Sequence, residues 1–290
     1  MAEKIIYCPY TDQELPESET SQEHIFPKSL GGSDEFVIPV NRDFNRKIGS
    51  EIDGQFANEF LMMIKRQEFD ARGHSGKKPE PLIKKATDLE TGRPLQVTMG
   101  RELKIWDVME GKHTSPFDRK FQASFQFGVD LPLRFLAKVA LATGYFVYGD
   151  LFRENVAHQE LRLIMKGPLN LSQEENESIK TTVFNPYVGD LTEPQKMDFE
   201  IQKLICEIIP GGSVIFKIGK NGIGIFGGVL STYLGYLCVP AVTKNFPRDG
   251  IHDLGHTVVV TNGKVFRESN RKLQSRVLAM LGPGTEEGPR

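Results

Sequence analysis

"EHIFPKSLGGSDEFVIPVNRDFNRKIGSEID", residues 23–53, joins an acid–histidine pair to a short apolar run, a proline, a glycine pair, a second apolar run and a segment of different period. "QEHIF" (22–26) has the composition of a strand, and Pro27 with Gly31 and Gly32 ends it in a turn. In an extended strand, adjacent residues point to opposite sides. Glu23 and His24 can therefore share one site only where the strand ends and bends. "EFVIPV" (35–40) predicts a second strand, with Pro39 confining it to an edge or an end. From Asn41 the spacing lengthens. Phe44, Ile48, Ile52, Phe56, Phe60 and Met63 recur at three or four residues, which predicts an amphipathic helix to about Gln67 with Asn41 as its N-cap. Upstream, "KIIY" (4–7) predicts a strand and "TDQELPESETS" (11–21) a polar loop.

The polar residues of this strand, turn, strand and helix suit one chemistry. Asn45 falls near the first turn of the helix, where its side chain would face back toward the hairpin. Glu23 and Asn45 would then supply two hard oxygen ligands, enough for a Mg²⁺-type ion that also takes waters and phosphate oxygens. His24 beside them is a candidate base for a water near neutral pH. Together they describe a phosphodiester hydrolysis site.

These residues carry a resemblance to the HNH endonucleases of the ββα-metal type. It is most specific at Glu23, His24, Pro27, Ser29 to Gly32, Asn45 and Gly49, and covers about a fifth of the chain strongly. The resemblance implies a metal-dependent nuclease in which His24 is the general base, Glu23 and Asn45 hold Mg²⁺ or Mn²⁺, and Lys28, Arg46 and Lys47 contact phosphates. It also implies double-stranded DNA as substrate and a phage or bacterial defence setting. Two departures stand out. Where zinc-bearing members place two CxxC pairs, this chain has Cys8 and Thr11, then Asn41 and Phe44, so no structural zinc is expected. Packing of Phe44 with Ile6, Phe26 and Val37 would have to replace it. The family's base-orienting Asn would fall near Phe36 or Val37, which leaves Asn41 or a backbone carbonyl for that role. A degenerate HNH protein, acting as a nucleic-acid-binding or regulatory module, is therefore the alternative.

Outside this segment the signals concern architecture. "DARGHSGKKPEPLIKKATDLETGRP" (70–94) is rich in Gly, Pro and Lys and predicts a domain boundary, followed by a hairpin from "PLQVTMG" and "ELKIWDV". "LPLRFLAKVALATGYFVYGDLF" (131–152) predicts a strong helix, "VAHQELRLIMKG" and "EPQKMDFEIQKLICEII" further ones, and several Gly-punctuated runs from 212 to 266 an antiparallel sheet. Asn262 and Gly263 suit a tight primed turn. The expected fold class is α+β: a ββα-metal unit at 1–70, linker and hairpin at 71–119, helices packed on an antiparallel sheet at 120–282 for target recognition or regulation, and a disordered tail at 283–290. "GKNGIG" (219–224) predicts a turn, since no helix follows it, and "HDLGH" (252–256) a loop with unrelated histidines.

Composition sets limits on all of this. With 39% hydrophobic and 26% charged residues and a formal charge of −2, the chain is globular and carries no overall basic field, so a nucleic-acid partner needs a local patch or a metal ion. Three scattered cysteines give no disulfide framework, and a cytoplasmic location is expected. "IGIFGGVLSTYLGYLCVPAV" (223–242) approaches a membrane span in length but is broken by Gly and Pro, so it is read as two buried strands. No membrane association is expected, and a homodimer is left open because no heptad or interface stripe supports one.

Overall fold

The computed structural model describes residues 3–73, 75–100, 102–115, 120–124, 128–185 and 191–281. The fold class is α+β, with antiparallel sheets throughout the described residues. The chain opens with two hairpins: β1 (Ile5–Cys8) pairs with β2 (Gln13–Pro16), and β3 (Thr20–His24) with β4 (Val37–Asn41). β3 begins and ends two residues earlier than "QEHIF" suggests, and the presumed polar loop contains β2.

The long helix expected from Asn41 to Gln67 is broken. α1 (Arg42–Ile48) runs into a π-helical turn (Gly49–Asp53), then α2 (Gly54–Ala57), and α3 (Phe60–Glu68) starts afresh after an extended Glu59. Gly49 and Gly54 bracket the wide turn, where low helix propensity makes the departure cheap. Its effect is to bury Ile48, Ile52, Asp53 and Phe56 on the inner side.

Residues expected to be linker and hairpin form a five-stranded sheet: β5 (Leu82–Asp88), β6 (Pro94–Met99), β7 (Leu103–Asp107), β8 (Lys112–Thr114) and β9 (Phe121–Ala123), in the order β8-β7-β6-β5-β9. It has a small core of its own from Ile83, Ala86, Leu95, Val97 and Ile105. β5 escapes a period-two reading because its register shifts between Ile83 and Ala86, which puts Lys84 and Lys85 outside in succession.

The remaining described chain comprises α4 (Leu131–Tyr148), α5 (Asp150–Asn155), α6 (His158–Lys166), α7 (Gln173–Ser178), β10 (Thr182–Phe184), α8 (Glu193–Ile208), β11 (Gly212–Ile218), β12 (Gly222–Val229), β13 (Thr232–Pro240), β14 (His256–Thr261), β15 (Lys264–Ser269) and α9 (Asn270–Leu281). Its strands form a six-stranded sheet in the order β10-β13-β12-β11-β14-β15. Both faces are covered. Val214, Phe216, Ile225 and Val258 face α4, whereas Ile215, Phe226 and Val259 face Ile205 and Cys206 of α8 and Leu273 and Val277 of α9. Residues 223–242 are indeed two buried strands, joined at Leu230 and Ser231, and Asn262 and Gly263 both take positive φ in the β14–β15 turn. No helix among the described residues is long and apolar enough to cross a membrane. The disordered tail expected at 283–290 lies outside the described residues.

α4 is the pillar of the molecule. It is apolar almost all round, as a helix must be when buried on every side. Cys8, Ile25, Phe26, Phe36 and Val40 from the N-terminal hairpins share one continuous core with α4 and the six-stranded sheet. The N-terminal segment is thus seated on the rest of the protein.

Candidate functional site

β3 separates its two end residues as strand geometry requires. Glu23 points inward and retains 7% of its surface, while His24 points to the half-buried outer side.

On the inner side the Glu23 carboxylate meets the ammonium of Lys138, which is fully buried within α4; Oε1 and Nζ are 2.5 Å apart. Asp53 Oδ2 lies 3.1 Å from the same nitrogen, which also donates to the backbone oxygens of His24 (3.3 Å) and Ile25 (3.1 Å). Four oxygens therefore surround one cation. Burial alone would pull the ammonium pKa of Lys138 down, but Asp53 and Glu23 outweigh it and the pKa is raised. Asp53 is itself pushed up, by burial first and by the Glu23 charge, against the opposing pull of Lys138. The Tyr10 hydroxyl nearby has its pKa raised well above the usual phenol value by burial and by the two carboxylates.

On the outer side, His24 Nε2 donates to Asp34 Oδ1 at 2.8 Å, and Lys28 Nζ sits 2.6 Å from Asp34 Oδ2. These two partners hold the Asp34 carboxyl below its ordinary range, the Lys28 hydrogen bond contributing most. Asp34 reaches the ring through the Pro27–Gly32 turn. Gly31 takes φ of +82°, and a Cβ on Gly32 would lie 1.7 Å from the Phe26 carbonyl oxygen, so both glycines are demanded by the backbone path.

Asn41 is an N-cap, its Oδ1 accepting the Phe44 N–H at 2.9 Å. The side chain that orients the His24 ring is Asp34 instead. Asn45 donates from Nδ2 to Ser21 Oγ (3.0 Å) and the Gln22 carbonyl (3.4 Å), so α1 does turn it back onto β3. It meets the strand two residues short of Glu23. Arg46 pairs with Asp43 at 3.6 Å on the exposed face of α1, and Lys47 faces a cleft described below. Phe44 stacks near Tyr10 (6.1 Å between ring centroids), whereas Phe26 packs on Phe36 and Phe135; Cys8 accepts the Asn41 N–H through Sγ.

A divalent ion does not fit the pair Glu23 and Asn45 in this arrangement. The carboxylate that would bind it is already paired with Lys138 in a buried position, and Asn45 turns its amide onto Ser21 and the Gln22 carbonyl. Among the described residues no three His, Cys, Asp or Glu side chains gather as metal ligands. Sequence reasoning missed Lys138, Asp53 and Asp34. Lys138 left a usable trace, being a charge midway along α4 with apolar neighbours on both sides, which requires a buried partner. Asp53 and Asp34 left none, because their partners come from distant chain positions or from a turn.

The histidines of residues 252–256 are neighbours after all. Their rings lie 4.7 Å apart against Tyr148, and His256 is hydrogen-bonded on both nitrogens, accepting from Arg267 Nε and donating to the Ile251 carbonyl. Burial, Arg267 and His252 push the His256 pKa down to about 4, so it is a neutral structural residue at physiological pH.

A second concave region lies between the π-helical turn and α6. It is a cleft of about 820 Å³ whose rim carries Lys47, Arg134, Arg162 and Lys166 against one carboxylate, Glu51. Comparison with family models, with curated proteins and with solved structures finds no match for this chain.

Proposed function

We propose that the chain is a nucleic-acid-binding protein of the HNH type in which an internal ammonium ion stands where the catalytic metal would be held. The observation that carries this is the Glu23–Lys138–Asp53 set: a fully buried lysine nitrogen with four oxygens within 3.3 Å, two of them from carboxylates. A cation so placed supplies the charge compensation that Glu23 would otherwise seek from Mg²⁺ or Mn²⁺. Binding would run through Lys28, Arg46 and Lys47, which lie on the turn and on α1 within the N-terminal segment. Such contacts act through phosphate charge and weaken as salt rises.

One arrangement favours hydrolysis instead. The His24 ring is held by the Asp34 carboxylate at 2.8 Å, a pairing that orients an imidazole base.

The two are separated by one experiment on supercoiled and linear double-stranded DNA with Mg²⁺, Mn²⁺ or EDTA, using wild type and His24→Ala. The expected outcome is salt-sensitive retardation of DNA with no metal-dependent cleavage. Metal-dependent nicking that disappears in His24→Ala would overturn it in favour of the nuclease. Absence of both binding and cleavage would overturn the nucleic-acid assignment itself.

A further inference from the structure

The cleft between the π-helical turn and α6 has the makings of a small-molecule site. At about 820 Å³ it lies within the range of cofactor and ligand cavities. Its floor is apolar, from Phe44, Ile48, Ile52 and Met165, and its amides are Gln13, Gln55 and Asn170. Charge is distributed unevenly around it. Arg162 is braced by Pro9 O, Tyr7, His158 and Asp12, and Lys166 is paired with Glu175. Among the described residues Arg134 is fixed through Nε alone, donating to the Met165 carbonyl at 2.9 Å, which leaves the two terminal nitrogens of its planar guanidinium without a partner there. The seat is a tight one: Gly167 has φ of +82°, and a Cβ there would come within 3.0 Å of Arg134 Cδ. Lys47, which also lines the cleft, has no ion pair among the described residues. Thr11, on the wall, has its Oγ1 buried with no hydrogen-bond partner among the described residues.

We infer that this cleft binds a nucleoside phosphate, its phosphate held between Arg134 and Lys47 and its base lying on Phe44 and Met165 within reach of the amides. A guanidinium fork and an ammonium in one cleft suit phosphate oxygens, and apolar side chains beside amides suit a planar heterocycle. The inference does not depend on the DNA-binding assignment, since a free nucleotide meets the same requirements as one at the end of a strand.

The test is calorimetric titration of the full chain with AMP, ATP, inorganic phosphate and a 5′-phosphorylated oligothymidine. Wild type is compared with Arg134→Gln, Lys47→Gln and, as a control remote from the cleft, Lys272→Gln. The expected result is saturable binding of AMP or ATP that weakens at least tenfold in Arg134→Gln and Lys47→Gln and is unchanged in Lys272→Gln. Binding of the oligonucleotide alone, with the same dependence on both residues, supports the site and identifies a strand terminus as the source. No binding of any organic phosphate, or binding that neither substitution alters, overturns it. Lys47 is exposed, so its variant keeps the test decisive should Arg134→Gln fail to fold. Loss of DNA retardation with nucleotide binding intact would count against the DNA-binding assignment only.

Discussion

Glu23 and His24 are neighbours on one strand, yet their surroundings could hardly differ more. Glu23 enters a dry set of two carboxylates and one ammonium, while His24 joins a water-facing set of Asp34 and Lys28. Both contain short ion pairs. The difference teaches that distance alone does not set the energetic weight of a pair; the medium does. A charge buried without its partner has no water to turn to, whereas an exposed one exchanges its partner for solvent at little cost.

The sharpest way to break this contrast is Lys138→Met. It would leave Glu23 and Asp53 facing each other in the core and should cost about 3–5 kcal/mol in urea denaturation. Adding Glu23→Gln and Asp53→Asn should restore much of that loss. A loss below about 1 kcal/mol in the single variant would place the inner set on the same footing as surface pairs. Gly32→Ala strikes at the turn that carries Asp34 to the outer side. Its Cβ would collide with the Phe26 backbone, and a cost of about 1–3 kcal/mol or more is expected by thermal or urea unfolding.

Titration sharpens the contrast by sign. Asp53 has a raised pKa, so its contribution to stability is fully present below its ordinary carboxyl value and is lost as pH rises through the raised one. Asp34 has a lowered pKa, so its contribution is present above the ordinary value and is lost as pH falls through the lowered one. Carboxyl ¹³C chemical shifts should show the two aspartates titrating on opposite sides of 3.8, the ordinary value. The same side for both would erase the distinction. The smallest effect is expected from Asp34→Asn, which should leave the urea midpoint where it was, because both of its partners can turn to water instead. A clear drop in the midpoint would show that the outer set carries weight comparable to the inner one.

Much of this architecture was legible in the sequence, and the gaps have physical causes. The buried strands of 223–242, the Asn262–Gly263 turn and the α4 helix follow from local rules: alternation, positive φ and an apolar run. Of the five-stranded sheet the β6–β7 hairpin was legible, but β5 was not, because a register shift destroyed its alternation. The single long helix was over-read because the apolar spacing persists through a π-helical turn, so periodicity alone could not reveal the break. At the candidate site, the capping role of Asn41 and the return of Asn45 to β3 were readable from chain order. The partnership of Glu23 with Lys138 was not, since it joins residues 23 and 138 through tertiary packing.

The bonds from Lys138 to the His24 and Ile25 carbonyls have a consequence for how this protein can be cut and recombined. A fragment ending near residue 70 would keep Glu23 and Asp53 but lose the lysine that balances them, along with the helix face that covers Phe26 and Phe56. The N-terminal segment is therefore not a portable cassette: grafted onto another host it would need a lysine delivered at the same depth, and α4 is as much a part of the candidate site as the strand that bears its name residues.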